Sequence, residues 1–224
     1  MDRAQLIHFG IPVVAYLLGS IPFGLLVAHV LGGKDVRKAG SGNIGATNVS
    51  RVAGPFAGIL TLLLDAAKGS VAVLVAARLT GDSATWMMIA GILALLGHCY
   101  PLWLHFRGGK GVATAAGVFL VLCPLAMFSA LAVFILVVIF WRFVSLGSLA
   151  AAAAIPLLIY FLWAPHHAPP LVVTFGSLGS SILVIYKHDA NMQRLVEGTE
   201  TKFSFRKKSS EPKEPEKPKE KDAA

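Results

Sequence analysis

Runs of about 20 consecutive apolar residues cross a bilayer as helices, and such runs recur along this chain until Tyr186 and then stop. Charged residues make up 14% of the sequence, against roughly 25% in soluble domains, and the mean hydropathy is +0.68. The expected fold is an all-α integral membrane protein, with one membrane domain over residues 1–203. Residues 204–224 are rich in Pro, Glu and Lys and bury too little apolar surface to fold, so a disordered tail is expected there. The first apolar segment, roughly Ala4 to Leu31, is longer than a signal-peptide h-region and lacks a small-residue cleavage site. It reads as a retained element. Cys99 and Cys123 lie in apolar surroundings without ligand spacing, which suits buried thiols.

Polar islands interrupt this pattern. The first is Gly40 to Arg51, GSGNIGATNVSR. Glycine lets a backbone approach a ligand closely. Ser41, Asn43, Thr47, Asn48 and Ser50 offer donors, and Arg51 a forked cation suited to phosphate. An ordinary polar loop would use many of the same residues, but a second island of the same kind favours an anion cradle. It runs from His98 to Gly117 and centres on Arg107-Gly108-Gly109-Lys110-Gly111, at the start of an apolar helix. Free N–H groups and a partial positive charge at a helix start favour phosphate. Lys110 is followed by Gly111 and the upstream glycine of a P-loop is missing, so ATP hydrolysis is not expected. His98 could act as a general base, but on its own a satisfied interfacial histidine is the favoured reading. Asp65 and Lys68, three residues apart in an apolar helix, are either a structural ion pair or part of a site.

Charge sets the expected topology. Lys34, Arg37, Lys38 and Arg51 place the first basic loop, Gly32 to Ala53, in the cytoplasm. Val112 to Trp141 is then expected to bend at Cys123-Pro124, because a hairpin keeps Arg107, Lys110, Arg142 and the basic C-terminus on one side. This gives seven transmembrane helices, N-terminus outside and C-terminus cytoplasmic. His166 and His167 fall on the outer side and are discounted. After Tyr186, Lys187, His188, Asn191 and Arg194 share a helical face, followed by Gly198-Thr199-Glu200. A basic lipid anchor accounts for the lysine and arginine there but not for His188, Asn191 or Glu200.

Three polar stretches thus converge on one face, with Ser148 beginning a helix beside them. Glycine-lined N–H groups, several cations, histidines and amides suit two phosphate-bearing molecules. From Lys187 onward, ten basic and eight acidic residues leave +2 of the net +8. Most net charge therefore belongs to the membrane domain, which points to anionic substrates or membrane lipids and not to nucleic acid. No acidic cluster for a divalent metal and no cysteine nucleophile is in view, so direct transfer without cofactor or metal is expected.

GSGNIGATNVSR, HCYPLWLHFRGGKGVAT and YKHDANMQRLVEGTE resemble the three signature motifs of the bacterial acyl-phosphate:glycerol-3-phosphate acyltransferases, the PlsY family. The resemblance runs in order to about Phe203. It implies transfer of a fatty acyl group from acyl phosphate to the sn-1 hydroxyl of sn-glycerol 3-phosphate. The products are lysophosphatidic acid and phosphate, in the first acylation step of phospholipid biosynthesis at the bacterial cytoplasmic (inner) membrane. Neither acyl-CoA nor acyl carrier protein is the direct donor, and the site faces the cytoplasm. It further implies Ser41 and Asn43 in the cradle with Gly40 and Gly42, and Arg51 and Lys110 as phosphate-holding cations. Ser148, His188 and Asn191 then lie around the glycerol phosphate. His98, Lys68, Arg107, Gly108, Gly109, Gly111 and Glu200 complete the candidate site. Arg107 departs from the lysine expected in this motif, and Asp189-Ala190 from a more basic pair.

The chemistry agrees. An acyl phosphate already carries a stable leaving group, while the attacking hydroxyl builds an oxyanion that N–H groups, Ser41 or Asn43 could stabilise. The proton could pass to His98, to His188 or to a substrate phosphate, and no single protein base is expected to dominate. A transporter of phosphate esters would also use broken helices and cations, but the chain shows no internal repeat and its polar motifs cluster on one side. A lipid-binding structural protein would leave the glycine motifs unexplained.

Overall fold

The computed structural model describes residues 3–163 and 170–203; the expected tail and the His166-His167 pair lie outside the described residues. The described chain is all-helical. Its helices are α1 (Arg3–Gly19), α2 (Phe23–Gly32), α3 (Ala46–Ala53), α4 (Pro55–Thr80), α5 (Ala84–Cys99), α6 (Val112–Leu122), α7 (Pro124–Trp141), α8 (Val144–Trp163), α9 (Leu171–Tyr186) and α10 (Asp189–Val196). Five runs are long and apolar enough to cross a membrane, with α1 and α2 counted as one run from Gln5 to Gly32. A sixth follows if α9 and α10 are joined across their 57° bend. Length therefore yields five or six spans rather than the seven expected. The remaining element, α6, has 11 residues, about 16 Å of helix against a hydrocarbon core of about 30 Å.

Prolines set the breaks. Pro22 stops the first run, and the helix resumes at Phe23. In lipid the carbonyls freed by such a break need protein partners. Lys68 Nζ, on α4, donates to the Ile21 carbonyl at 2.9 Å, and the Ser20 hydroxyl donates to Tyr16 O at 2.8 Å. Pro124 occupies the first turn of α7, so the chain breaks where Cys123-Pro124 was expected to bend it. One sequence expectation needs correcting: Gly32 to Ala53 is not a loop throughout. Its second half is α3, whose Val49 packs with Val27, Val36, Ile44 and Ala57. Lys34 Nζ donates to Val52 O at 2.9 Å, close to the C-terminal end of α3.

The helices meet through small residues, as membrane helices do where water supplies no drive for association. A Cβ on Gly117 would overlap Ala66 O, and one on Gly69 would overlap Thr114 O, so α4 and α6 touch backbone to backbone. The Ser70 hydroxyl donates to Gly117 O at 2.8 Å across that seam. The α1–α5 contact is built alike at Gly19 and Gly97. A larger cluster of Met88, Phe119, Ile155, Ile159 and Val173 joins α5 to α9. Phe9, Phe56, Phe140, Phe161 and Phe175 stay exposed and so face lipid.

Gly117→Val should cost about 1–3 kcal/mol by overpacking, lowering the melting temperature in detergent. Gly179→Ala, where a Cβ would meet nothing within 4 Å, should leave it unchanged.

Candidate active site

Asn48 builds the first wall of the site. Its side chain is 2% exposed. The oxygen accepts from Ser41 N at 2.8 Å, and Nδ2 donates to Val36 O, Ala39 O and Asn43 O at 3.0, 3.1 and 2.8 Å. One side chain thus holds the loop from residue 36 to residue 43. Gly40 sits at φ +61°, and a Cβ there would overlap the Asn48 oxygen, so the motif's first glycine makes room for this amide. Asn43 Oδ1 accepts from Gly45 N at 2.8 Å and leads into α3, which carries Arg51. Among the sequence candidates Asn48 counted only as one more donor. Its scaffolding role depends on α3, which the polar composition concealed.

The second wall is the turn between α5 and α6. Gly109 N donates to His98 O at 3.1 Å and Gly108 N to Cys99 O at 3.2 Å, laying the turn back on the end of α5. Gly111, at φ +83°, aims the chain into α6. The first N–H groups of a helix lack intrahelical partners, and here that first turn, Val112 and Ala113, lines the cavity.

The third wall is α10 and the segment after it. Lys110 Nζ donates to Asn191 Oδ1. Asn191 Nδ2 donates to Glu200 Oε1 at 2.7 Å, and Arg194 Nε donates to Glu200 Oε2 at 2.7 Å. Arg142 at the α7–α8 turn secures this segment, its carbonyl accepting from Phe203 N at 2.6 Å and its Nε donating to Phe203 O at 3.2 Å. His188 is 3% exposed, and its Nδ1 lies 2.8 Å from Val184 O. A carbonyl only accepts, so Nδ1 carries the hydrogen and the lone pair of the neutral ring is on Nε2. The Ser148 hydroxyl donates to Val144 O at 2.9 Å and keeps its lone pairs for a ligand.

These walls enclose one cavity of about 580 Å3. Ser41, Asn43, Gly40, Arg51, His98, Lys110, Gly111, Ser148, His188, Asn191 and Glu200 line it, as do Asn48, Asp65 and Arg194, which the sequence noted without giving them a place in the site, and Ser145, which it did not single out. Five candidates stand outside the lining. Lys68 is occupied by Asp65, at 2.8 Å, and by the Ile21 carbonyl, which favours the structural reading of that pair. Arg107 is exposed, so Lys110 is the cation this turn contributes. Gly108 and Gly109 pack on the end of α5, and Gly42, exposed at φ +70°, only closes the loop onto Ala39 O. Among the described residues, no three His, Cys, Asp or Glu side chains stand close enough together to hold a metal ion.

Burial pushes the Lys110 ammonium down to about 8, with Glu200 opposing and Arg194 and Arg51 adding to the shift. It is therefore a cation at pH 7 and loses its charge only above about 8. Burial pushes His188 down to about 4, against the hydrogen bond to Val184, so this ring is neutral at pH 7. For Glu200 burial acts upward, but hydrogen-bond donors, Arg194 and Asn191 among them, outweigh it and hold the carboxyl below its usual value.

An all-helical membrane fold opening on a cationic, glycine-lined cavity defines a membrane protein suited to small anionic ligands. Residues 9–198 match the family model described as glycerol-3-phosphate acyltransferase. The chain belongs to that family, the PlsY acyltransferases, and so to phospholipid biosynthesis. It is 53% identical over 193 residues to the glycerol-3-phosphate acyltransferase of Syntrophotalea carbinolica, covering 85% of this chain and 95% of that protein. The Geobacter sulfurreducens protein of the same name is 52% identical over 190 residues, covering 85% and 94%. The crystal structure of PlsY in its glycerol 3-phosphate form superposes with a TM-score of 0.81 at 38% identity, covering 88% of this chain and 96% of that one. The lysophosphatidic acid form gives 0.79 at 36%, covering 88% and 95%.

The charge on Lys110 yields a pH prediction. Activity should be steady near pH 7 and fall roughly tenfold per unit above about 8, as the ammonium deprotonates. Lys110→Arg should move that alkaline limb beyond the measured range, because guanidinium stays charged. A pH profile of kcat/KM for the two proteins checks it.

Proposed function

We propose that this enzyme transfers a fatty acyl group from acyl phosphate to the sn-1 hydroxyl of sn-glycerol 3-phosphate, releasing lysophosphatidic acid and phosphate. The observation that carries the reading is the convergence of Lys110, Arg51, Arg194 and the neutral His188 ring on one cavity beside the N–H groups that open α6. Such an array suits two phosphates and one developing oxyanion. The two PlsY structures, in a glycerol 3-phosphate form and a lysophosphatidic acid form, support the same acceptor and product here.

The glycerol hydroxyl attacks the acyl carbon of the mixed anhydride. Negative charge builds on the acyl oxygen and is stabilised by N–H groups of the Gly40–Asn43 loop and the start of α6, with Ser41 beside them. Phosphate then leaves as an anion held by Lys110 and Arg51. The hydroxyl proton passes to a substrate phosphate or to His188 Nε2, a weak base because of its burial. Holding the two substrates together supplies much of the rate. Leu62 of α4 and Phe134 of α7 line the cavity's apolar edge, where the acyl tail would pass into the lipid. In the same reading residues 1–203 form seven membrane elements, with the N-terminus outside. The run α1–α2, together with α4, α5, α6, α7, α8 and α9, supplies them, and the cavity faces the cytoplasm.

Purified protein given palmitoyl phosphate should release phosphate only when sn-glycerol 3-phosphate is present, and palmitoyl-CoA should not replace the donor. Lys110→Ala should lower kcat by on the order of 10²–10³-fold, with a smaller loss for His188→Ala. Equal turnover with palmitoyl-CoA would contradict the donor, and a collapse confined to His188 would make that ring the essential base.

A further inference from the structure

We propose that Asp65 is a positioning residue for this transfer: it holds the His98 ring beneath the glycine turn and thereby fixes where Lys110 stands. The proposal rests on the acyl-transfer reading of the cavity.

Asp65 and His98 are both almost fully buried, at 2% and 4% exposed. Pairing with Lys68 accounts for the charge of Asp65, but not for its second neighbour. Asp65 Oδ1 lies 3.5 Å from His98 Nδ1, a close contact at the outer edge of hydrogen-bond distance, and this buried nitrogen has no hydrogen-bond partner among the described residues. The opposite edge of the ring is also committed. A Cβ on Gly109 would overlap His98 Nε2, so the imidazole fills the space that a side chain at 109 would need. The backbone of residue 98 grips the same turn, its carbonyl accepting from Gly109 N at 3.1 Å. Lys110 is the next residue.

His98 is therefore held from two sides. Nδ1 faces a carboxylate oxygen, which places the hydrogen there, while the Nε2 edge of the ring packs against Gly109. This gives His98 the task of a wedge under the turn. A carboxylate that fixes the tautomer and plane of an imidazole is a recurrent way of orienting a functional group one step removed. Lys68 ties the same carboxylate to the α1–α2 break through Ile21 O.

Two variants that share Lys68→Met, so that neither leaves a buried unpaired charge, separate positioning from charge pairing. Asp65→Asn keeps an acceptor for His98, and Asp65→Leu removes it. With equal melting temperatures, the leucine variant should show kcat/KM for glycerol 3-phosphate lower than the asparagine variant by on the order of 10²-fold, as expected from a small misplacement. Equal activities would overturn the proposal. A second measurement needs no folded variant of Asp65: nitrogen NMR of histidine-labelled wild-type protein in detergent, with the His98 signal assigned against His98→Asn. Hydrogen on Nδ1 is expected, and a ring protonated only on Nε2 would overturn the proposal. Wild-type turnover of palmitoyl phosphate is the separate control, whose failure would strike the acyl-transfer reading and not the Asp65–His98 contact.

Discussion

Three cations, Arg51, Lys110 and Arg194, stand around one cavity, and like charges brought together out of water repel strongly. Glu200 makes that arrangement tenable. Its carboxylate accepts from Asn191 and Arg194, and Asn191 turns its oxygen to Lys110. This bridge joins the turn after α5 to the end of the described chain. In the proposed reading, the same bridge spaces the cations before substrate arrives, so that a phosphate would meet donors already aimed at it instead of mobile side chains. Arg142 secures the arrangement by pairing with the backbone of Phe203, which keeps Glu200 over the cavity.

The bilayer explains why the polar motifs occur at helix breaks. Lipid offers no partner for a freed carbonyl or N–H, so irregular backbone survives only where protein or a cavity satisfies it. Lys68 does this for Ile21, Asn48 for the Gly40–Asn43 loop, and the His98 and Cys99 carbonyls for Gly109 and Gly108. The regular helices between them pack through glycines at the α4–α6 and α1–α5 seams. Rigid apolar spans thus deliver three irregular segments to one place.

The apolar periodicity and the prolines made much of this legible in the sequence. Pro124 marked the start of α7. The three motifs were legible because glycine, amide and cation side chains in apolar surroundings have few other uses. What stayed hidden depended on tertiary partners. The Asp65–Lys68 pair admitted two readings until the Ile21 carbonyl appeared beside Lys68. Arg107 and Lys110 flank the same two glycines and differ only in which way the turn points them. α3 is too polar to register as a packed helix, and with it the scaffolding role of Asn48 was missed. Length alone leaves α6 short of a full span, although it packs along α4 by its glycines.

The account's central claim is that one cavity holds both phosphate-bearing substrates. The most direct test is a density map of the protein with sn-glycerol 3-phosphate and a non-hydrolysable acyl phosphonate bound together. Two phosphorus peaks are expected inside the space bounded by Ser41, Lys110 and His188, with Lys110 Nζ on a phosphate oxygen and the apolar chain leaving past Leu62 and Phe134. A map in which either phosphorus lies outside that space, with Lys110 still bonded only to Asn191, would contradict it.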